Sequence, residues 1–238
     1  MRKHALIIGA SGEIGQAITQ SLAEQGYSLS LHYHTNRTVI DQLCGILPDE
    51  SVLELLQADL SNQTGIDQLI NHLTFMPTDL VFAQGQPCYG LFQALDSKTI
   101  DQLYYTHLKA TWQISQACLP NMIQQRSGNI VVIASLWGER GASQEVLYSS
   151  VKGAQIAFVK ALAQEVASSQ IRINAISPGF IQTKMNQQLS EVEREAIMRE
   201  IPANRLGTTN DVANLVTFLL SNKSNYINGE CVRLSGGW

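Results

Sequence analysis

Long hydrophobic runs, clustered charges of one sign and biased composition are all absent from this sequence of 238 residues. No apolar run approaches the roughly 18 residues that a membrane-spanning helix needs, and 17 glycines with 6 prolines exclude a collagen-like or low-complexity chain. The 16 Lys and Arg residues form no basic cluster and are outnumbered by 20 Asp and Glu residues. A surface that follows nucleic-acid phosphates needs such clusters, so we expect neither a membrane nor a nucleic acid as a partner.

Cysteine is also scarce and widely spaced. The 4 cysteines form no C-x-x-C pair, and none has a histidine at metal-ligand spacing. The N-terminal segment Met1-Arg2-Lys3-His4 is followed by only a short apolar stretch, 5–8, before Gly9, so a signal peptide is not expected. Together these features predict a cytoplasmic protein with reduced thiols and no bound metal.

The sequence does contain a regular alternation of short β-branched segments and longer helical patterns. Segment 130–135 is an almost continuous apolar strand, and apolar residues recur at helical spacing in segments such as 14–25 and 148–167. This alternation is typical of repeated β-α-β units, and continuous apolar strands are typical of a parallel sheet covered on both faces. We therefore predict an α/β fold, a doubly wound parallel sheet with helices on both faces, in a single domain spanning residues 1–238.

Two segments depart from the alternation. Segment 100–125 is long enough for two helices, with a break expected near Pro120. Segment 180–205 contains a charged helix, 190–201, and we interpret it as a substrate lid, because such segments at the carboxyl edge of a parallel sheet often cover ligands. A mixed, partly apolar pocket is predicted from four side chains: Trp137, Leu147, Met185 and Leu189.

The first predicted strand runs directly into a glycine-rich turn that opens the first predicted helix. The turn is Gly9-Ala10-Ser11-Gly12-Glu13-Ile14-Gly15. Glycines there let the chain turn tightly and let a pyrophosphate approach the amides at the helix N-terminus, where the helix dipole favours negative charge. The strand-turn-helix context favours a dinucleotide site over the alternative, a plain connecting turn.

The end of the second predicted strand indicates which dinucleotide the site prefers. Folds that bind NAD place a carboxylate there to accept hydrogen bonds from the ribose hydroxyls. This sequence has no Asp or Glu in segment 32–37, which ends in Arg37, a cation that attracts a 2′-phosphate. The prediction is NADPH rather than NADH. The alternative is that Arg37 is a solvated loop charge and that Ser11 or Asn36 contacts the phosphate.

A tyrosine and a lysine four residues apart form the candidate catalytic pair. Tyr148 and Lys152 are expected one turn apart on one helix face. A phenol has a pKa of about 10, and a nearby cation such as Lys152 is needed to favour phenolate at neutral pH. Ser135 follows the buried strand 130–134, where it can hydrogen-bond a carbonyl oxygen while Tyr148 protonates the alkoxide. The tyrosine-lysine spacing alone is common by chance; its combination with the glycine turn and Ser135 is more specific.

With these motifs the sequence resembles, over essentially its whole length, the short-chain dehydrogenase/reductase family, and within it the 3-oxoacyl-acyl-carrier-protein reductases. The resemblance also rests on segments 58–60, 171–183 and 226–237. It implies a Rossmann-type fold, an oxidoreductase that reduces a ketone with NADPH, and a homotetramer formed through the two long helices and the last strand.

The resemblance also implies roles for individual residues. Tyr148 would be the acid, Ser135 would orient the substrate, and Lys152 would also hold the nicotinamide ribose. Asp59 would contact the adenine, and residues 178–183 would flank the nicotinamide. The implied cofactor-binding residues are Gly9, Ser11, Gly12, Glu13, Ile14, Gly15, Arg37, Asp59, Leu60, Ala83, Gly85, Tyr148, Lys152, Pro178, Gly179, Ile181 and Thr183.

Three positions depart from the family pattern. Glu13 replaces the middle glycine of the turn and puts a carboxylate near the expected pyrophosphate. The usual N-N-A-G segment is Phe82-Ala83-Gln84-Gly85, which keeps only the last glycine. His107 stands where the family has an Asn that positions a water in a proton relay. A histidine, with a pKa near 6.5, can itself relay protons, so we count His107 as a candidate catalytic residue; the alternative is a packed helix residue.

The departures point to a narrower group. Segments 135–138, 141–146 and 152–155, together with His107, resemble bacterial reductases that reduce a 5-aminopentanone group on elongation factor P to the alcohol. An acyl-carrier reductase would also present two arginines to its acidic carrier, and here Arg126 is followed by Ser169 at the second place. The sequence therefore leaves two ketone substrates open.

Two other classes of function also stay open. A dinucleotide-binding regulator that has lost catalysis would not need the acid, so the intact Ser135, Tyr148 and Lys152 argue against it. A scaffold or nucleic-acid binder is disfavoured by the net charge of −4. The favoured hypothesis is an NADPH-dependent reductase of a ketone, carried either on acyl carrier protein or on elongation factor P.

Overall fold

Seven parallel strands form one sheet in a computed structural model that describes residues 3–183 and 190–238. They are β1 (His4–Ile8), β2 (Ser28–Tyr33), β3 (Val52–Gln57), β4 (Asp79–Phe82), β5 (Gly128–Ile133), β6 (Ile171–Pro178) and β7 (Cys231–Leu234). Their order across the sheet is β3-β2-β1-β4-β5-β6-β7. Every residue of β1, β2 and β4 is buried, as a sheet covered on both faces requires. The predicted doubly wound parallel sheet is confirmed.

Helices cover both faces of this sheet. They are α1 (Glu13–Glu24), α2 (Arg37–Cys44), α3 (Gln63–His72), α4 (Ser97–Leu103), α5 (Ala110–Gln125), α6 (Trp137–Arg140), α7 (Val146–Val166), α8 (Glu191–Glu200) and α9 (Thr209–Leu220). Leu6 and Ile8 of β1 pack against the side covered by α3, α5 and α7, while Ala5 and Ile7 face α1, α2 and α9. None of the helices in the described part of the chain is long and apolar enough to cross a membrane.

The predicted helix break near Pro120 is wrong. Pro120 lies inside α5, and the irregular turn of this region is a π-helix, Tyr104–Lys109, which joins α4 to α5. A proline inside a helix deprives the carbonyl four residues earlier of its partner, here that of Gln116. Both residues are exposed, so water can hydrate the carbonyl and the helix continues.

The strand order reverses between β1 and β4. From β1 the chain goes to β2 and β3 on one side and then returns to β4 on the other, and parallel sheets bind ligands in the crevice at such a point. Gly9, directly after β1, has a φ of +83°, and a Cβ there would lie 2.7 Å from the backbone nitrogen of Gln84. Only glycine therefore fits the start of the turn.

The described part of the predicted lid contains α8. The helix begins with a capping box, in which Ser190 Oγ accepts from the Glu193 N–H and the Glu193 carboxylate accepts from the Ser190 N–H. No residue of α8 is buried. Met185 and Leu189, which we expect in the pocket, lie outside the described residues, and closure of the lid stays a prediction.

Candidate active site

A cavity of about 650 Å³ opens at the carboxyl edge of the sheet. Residues that follow β4, β5 and β6 line it, together with the first turns of α7 and residues of α8. The predicted site residues in its lining are Ile14, Ala83, Gly85, Ser135, Tyr148, Lys152, Pro178, Gly179, Ile181 and Thr183. The fold thus brings Ser135, Tyr148 and Lys152 and the residues expected to flank the nicotinamide to one place, whereas His107, the fourth candidate catalytic residue, does not line the cavity.

The glycine turn lies beside this cavity, between β1 and α1. Gly12 is the N-cap residue of α1 and has no side chain to cover the first amides of the helix, which suits an anionic pyrophosphate. Gly15 lies so close to Gly9 that a Cβ there would clash with the Gly9 carbonyl oxygen. Glu13 adds a carboxylate to the first turn of the same helix. Apart from Glu13, the turn fits a dinucleotide.

Arg37 and Asp59 lie beyond the ends of β2 and β3, on the side where the adenosine is expected; Leu60 follows Asp59. Arg37 Nε donates to Asp41 Oδ1 at 2.8 Å, and Nη1 donates to the Tyr33 hydroxyl at 3.3 Å. Asp41 therefore competes with a 2′-phosphate for this guanidinium, an i,i+4 pairing that the sequence spacing already contains.

The side chains of Tyr148 and Ser135 both line the cavity, and the Ser135 hydroxyl also accepts from the Trp137 N–H at 3.2 Å. Ser135 follows β5, and Tyr148 lies in the first turn of α7. Burial raises the pKa of Tyr148 to about 12, and the charge of Glu145 acts in the same direction, whereas the hydrogen bond with Ser135 acts against it. The pKa of Tyr148 thus shifts in the direction opposite to the one that the sequence predicts from Lys152, and the phenol is protonated at neutral pH.

Lys152 lies one turn further along α7. Its Nζ is 5.7 Å from the centre of the Tyr148 ring and donates to the Ile133 carbonyl at 2.8 Å. The residue is 3% exposed, and burial lowers the pKa of Lys152 to about 7. At neutral pH the amine therefore divides between its charged and neutral forms and can both give and accept a proton.

His107 is fully buried behind Gly85, within the π-helix. Its ring meets that of Tyr148 edge-on, with 5.8 Å between the centres. Nε2 lies 3.2 Å from the Gln86 carbonyl oxygen, whereas Nδ1 has no hydrogen-bond partner among the described residues. Burial, and then the charge of Lys152, lower the pKa of His107 well below 6.5, so the ring is neutral. A Cβ on Gly85 would lie 3.9 Å from Lys152 Nζ and 4.0 Å from His107 Nδ1, so the two nitrogens border the same narrow space.

Two buried glutamines that the sequence analysis missed hold the π-helix in place. Gln155 Nε2 donates to the His107 carbonyl at 2.7 Å, and Thr111 Oγ1 donates to the same oxygen at 2.8 Å. Gln84 Nε2 in turn donates to Thr111 Oγ1 at 3.2 Å. The sequence positions of both glutamines could have indicated them: Gln84 lies in the segment that replaces N-N-A-G, and Gln155 is a polar residue three positions after Lys152.

A glycine turn at the reversal point of a parallel sheet, with serine, tyrosine and lysine in the adjoining cavity, defines a dinucleotide-dependent oxidoreductase. The family profile described as "Enoyl-(Acyl carrier protein) reductase" matches residues 9–238. The chain belongs to the short-chain dehydrogenase/reductase family.

Individual relatives match along the whole chain. The "Uncharacterized oxidoreductase YmfI" of Bacillus subtilis is 43% identical over 240 residues, which cover 100% of this chain and 99% of that protein. The 3-oxoacyl-acyl-carrier-protein reductase FabG of Staphylococcus epidermidis is 32% identical over 241 residues, with 100% and 99% covered. A solved structure of a "short chain dehydrogenase/reductase family protein" covers 99% of this chain and 96% of its own, with a TM-score of 0.89 and 22% identity, and so shows the same fold.

Proposed function

We propose that this protein is an NADPH-dependent reductase that converts a ketone into an alcohol. The observation that carries the proposal is that Ser135, Tyr148 and Lys152 line one cavity beside the glycine turn. Relatives named as an oxidoreductase and as a 3-oxoacyl-acyl-carrier-protein reductase support it. Arg37, with no carboxylate in segment 32–37, favours NADPH over NADH.

Different residues would bind the different parts of NADPH. The glycine turn would bind the pyrophosphate, Asp59 and Leu60 the adenine side, and Lys152 the nicotinamide ribose. The nicotinamide would lie against Ala83, Gly85, Pro178, Gly179, Ile181 and Thr183. When bound, NADPH supplies the hydride that reduces the carbonyl carbon.

Proton delivery falls to Tyr148. Ser135 and Tyr148 hold the ketone oxygen by hydrogen bonds, and Tyr148 gives its proton to the alkoxide as it forms. The pKa of Tyr148, about 12, lies below that of a simple alcohol, which is close to the value of about 16 for water. The transfer is therefore downhill, and burial helps by keeping the phenol protonated.

Lys152 and His107 would return a proton to Tyr148. Lys152 Nζ borders the same space as His107 Nδ1, and the His107 carbonyl is already engaged by Gln155 and Thr111. The ring nitrogen, rather than that carbonyl, is then the group best placed to hold a relay water. This assigns His107 a positioning role in the relay.

Replacing His107 with Phe should lower kcat about tenfold to a hundredfold and leave NADPH affinity unchanged, because Phe keeps the edge-on contact with Tyr148 but has no ring nitrogen. A larger solvent deuterium isotope effect on kcat should accompany the loss, since proton return becomes limiting. A Phe variant with the parent kcat and isotope effect would leave His107 as a packing residue only. His107→Asn, which restores the family residue, serves as the conservative comparison.

Two substrates fit the proposal. A 3-oxoacyl thioester on acyl carrier protein is supported by the FabG relative. The 5-aminopentanone group on elongation factor P is supported by the single arginine: Arg126 donates to the Ser168 carbonyl at 3.1 Å, and Ser169 takes the second place. We also expect a cytoplasmic homotetramer formed through α5, α7 and β7, with segment 180–205 as the lid.

The test is NADPH oxidation by the purified protein with a short 3-oxoacyl thioester and, separately, with elongation factor P carrying the unreduced ketone. We expect turnover with at least one substrate, and faster turnover with NADPH than with NADH. Turnover of the thioester alone would support the acyl reductase, and turnover of the modified factor alone would support the second substrate. NADPH binding without any turnover would instead make the protein a silent dinucleotide-binding regulator.

The cofactor arm of this test uses Arg37→Ala. Losing a charge-assisted hydrogen bond to the 2′-phosphate should reduce the preference for NADPH about tenfold to a hundredfold, since such a bond is worth about 1.5–3 kcal/mol. Asp41→Asn is the matched control, because it keeps the guanidinium and removes its competing carboxylate. An unchanged preference in Arg37→Ala would transfer the phosphate contact to Ser11 or Asn36.

A further inference from the structure

The side chain of Glu145 lines the cavity, and the proposed reaction assigns no role to this carboxylate. It is the N-cap residue of α7, three positions before Tyr148, and lines the cavity with that tyrosine and Trp137. At an N-cap a carboxylate usually accepts from the first backbone N–H groups of its helix, yet the Glu145 side chain makes no such bond. Among residues 3–183 and 190–238, no Lys, Arg or His forms an ion pair with it. No cation among the described residues therefore balances the negative charge of Glu145.

The charge of Glu145 acts on the cavity instead. Burial raises the pKa of Glu145, while a hydrogen bond with the Trp137 side chain lowers it. Burial raises the pKa of Tyr148 and of Tyr89, and the charge of Glu145 raises both further; all three residues line the cavity. The other carboxylate in the described lining, Glu193, is engaged by the Ser190 N–H and hydroxyl in the capping box.

Aromatic side chains line the same cavity as this carboxylate. Trp137 packs edge-on against Trp238, with 5.4 Å between ring centres, and Tyr89 and Phe180 also line the cavity. Ring faces attract cations, and substituted ammonium groups are often bound by such aromatic walls. A cavity lined by both a carboxylate and aromatic rings offers the two things that an alkylammonium group needs, a counter-charge and apolar contact.

We propose that Glu145, with Trp137 and Tyr89, is a subsite for a positively charged amine of the substrate. The inference rests on the proposed ketone reduction and deepens it by naming the substrate class: a ketone whose chain ends in an ammonium group. Of the two substrates above, only the aminopentanone carries such a charge. A neutral acyl chain would leave the charge of this partly buried carboxylate without a counter-ion, which is unfavourable.

The test compares two methyl ketones of the same shape. One carries a trimethylammonium group on a short alkyl linker, which cannot cyclise onto the carbonyl, and the other carries a tert-butyl group in its place. We expect the wild-type protein to favour the cation in kcat/KM by roughly tenfold or more, with a KM that rises with salt. Glu145→Gln keeps the shape of the side chain and should bring the ratio close to one.

Glu165→Gln is the matched control, because it removes one carboxylate from the exposed far end of the same helix and should keep the wild-type ratio. Binding of the two corresponding alcohols to the NADP⁺-loaded protein, measured by calorimetry, gives a readout that needs no turnover. The subsite would be overturned if the wild-type protein bound the cationic and the neutral alcohol equally and reduced the two ketones with equal kcat/KM. It would also be overturned if Glu145→Gln kept the wild-type ratio of kcat/KM for the cationic and the neutral ketone. Selective binding of the cation without reduction of either ketone would support the subsite and reject the reductase.

Discussion

Replacing Tyr148 with Phe should lower kcat for ketone reduction about a thousandfold and change NADPH affinity by less than about twofold. Phe keeps the ring and its edge-on contact with His107, but it removes the hydroxyl that is proposed to protonate the alkoxide. The alkoxide would then lose the acid that is proposed to protonate it. Steady-state rates with the ketone, together with an NADPH titration in its absence, separate the two effects.

Two further variants make this result specific. Tyr226→Phe is the matched control, because that side chain is fully exposed and should keep the parent rate. Ser135→Ala should lose about a hundredfold, since it removes one of two hydrogen bonds to the developing charge but leaves the acid in place. A Tyr148→Phe protein that reduces ketones at the parent rate would mean that another group donates the proton.

The direction of the Tyr148 pKa shift adds a pH dependence to the same assignment. With a pKa of about 12, the phenol stays protonated through neutral pH, so ketone reduction should show no loss from this group there. Alcohol oxidation needs the phenolate as base, so its rate should rise with pH throughout the neutral and mildly alkaline range. Cofactor and substrate at saturation isolate this effect from binding.

The parts of the fold that sequence predicts well are those whose signal is local. β1 and β5 are uninterrupted apolar segments because both faces of the sheet are covered, and the helical spacing of Tyr148 and Lys152 fixes their shared side of α7. The cavity lining followed from these elements, because the carboxyl ends of parallel strands meet at one edge.

The features that sequence could not predict depend on distant partners. The π-helix is stabilised by Gln84 and Gln155, which lie 22 and 48 positions from the carbonyls of Thr106 and His107 that they contact. The low pKa of Lys152 likewise arises from its burial against β5, and the spacing of residues along the sequence does not predict that burial. The predicted helix break at Pro120 is wrong for a different reason. Proline does remove a hydrogen bond from the helix, but the exposed Gln116 carbonyl can bond to water instead.

Replacing Lys152 with Met should lower kcat about a hundredfold to a thousandfold and weaken NADPH binding about tenfold, because one amine is proposed both to return the proton and to hold the ribose. Its pKa of about 7 gives the sign of the pH effect in the parent protein. Lys152 can return a proton only in its charged form, so kcat should fall as the pH rises through this value. Bound NADPH, being anionic, should move the midpoint upward, and the Met variant should lose this limb of the profile.

The same substitution should make the protein more stable, and this separates a functional lysine from a structural one. In the unfolded chain the amine has a pKa of 10.5, against about 7 when folded. The folded state therefore binds fewer protons between these values, so the cost of burying the charge is fully present below pH 7 and disappears as the pH rises toward 10.5. Lys152→Met should accordingly raise Tm near pH 6, and by less at pH 9, even though the Ile133 carbonyl loses its donor at a cost of about 1–3 kcal/mol. A variant in which both kcat and Tm fall would instead show that Lys152 holds α7 against β5. A lower kcat with a higher Tm is the result expected when a residue of the active site supports activity at the expense of stability.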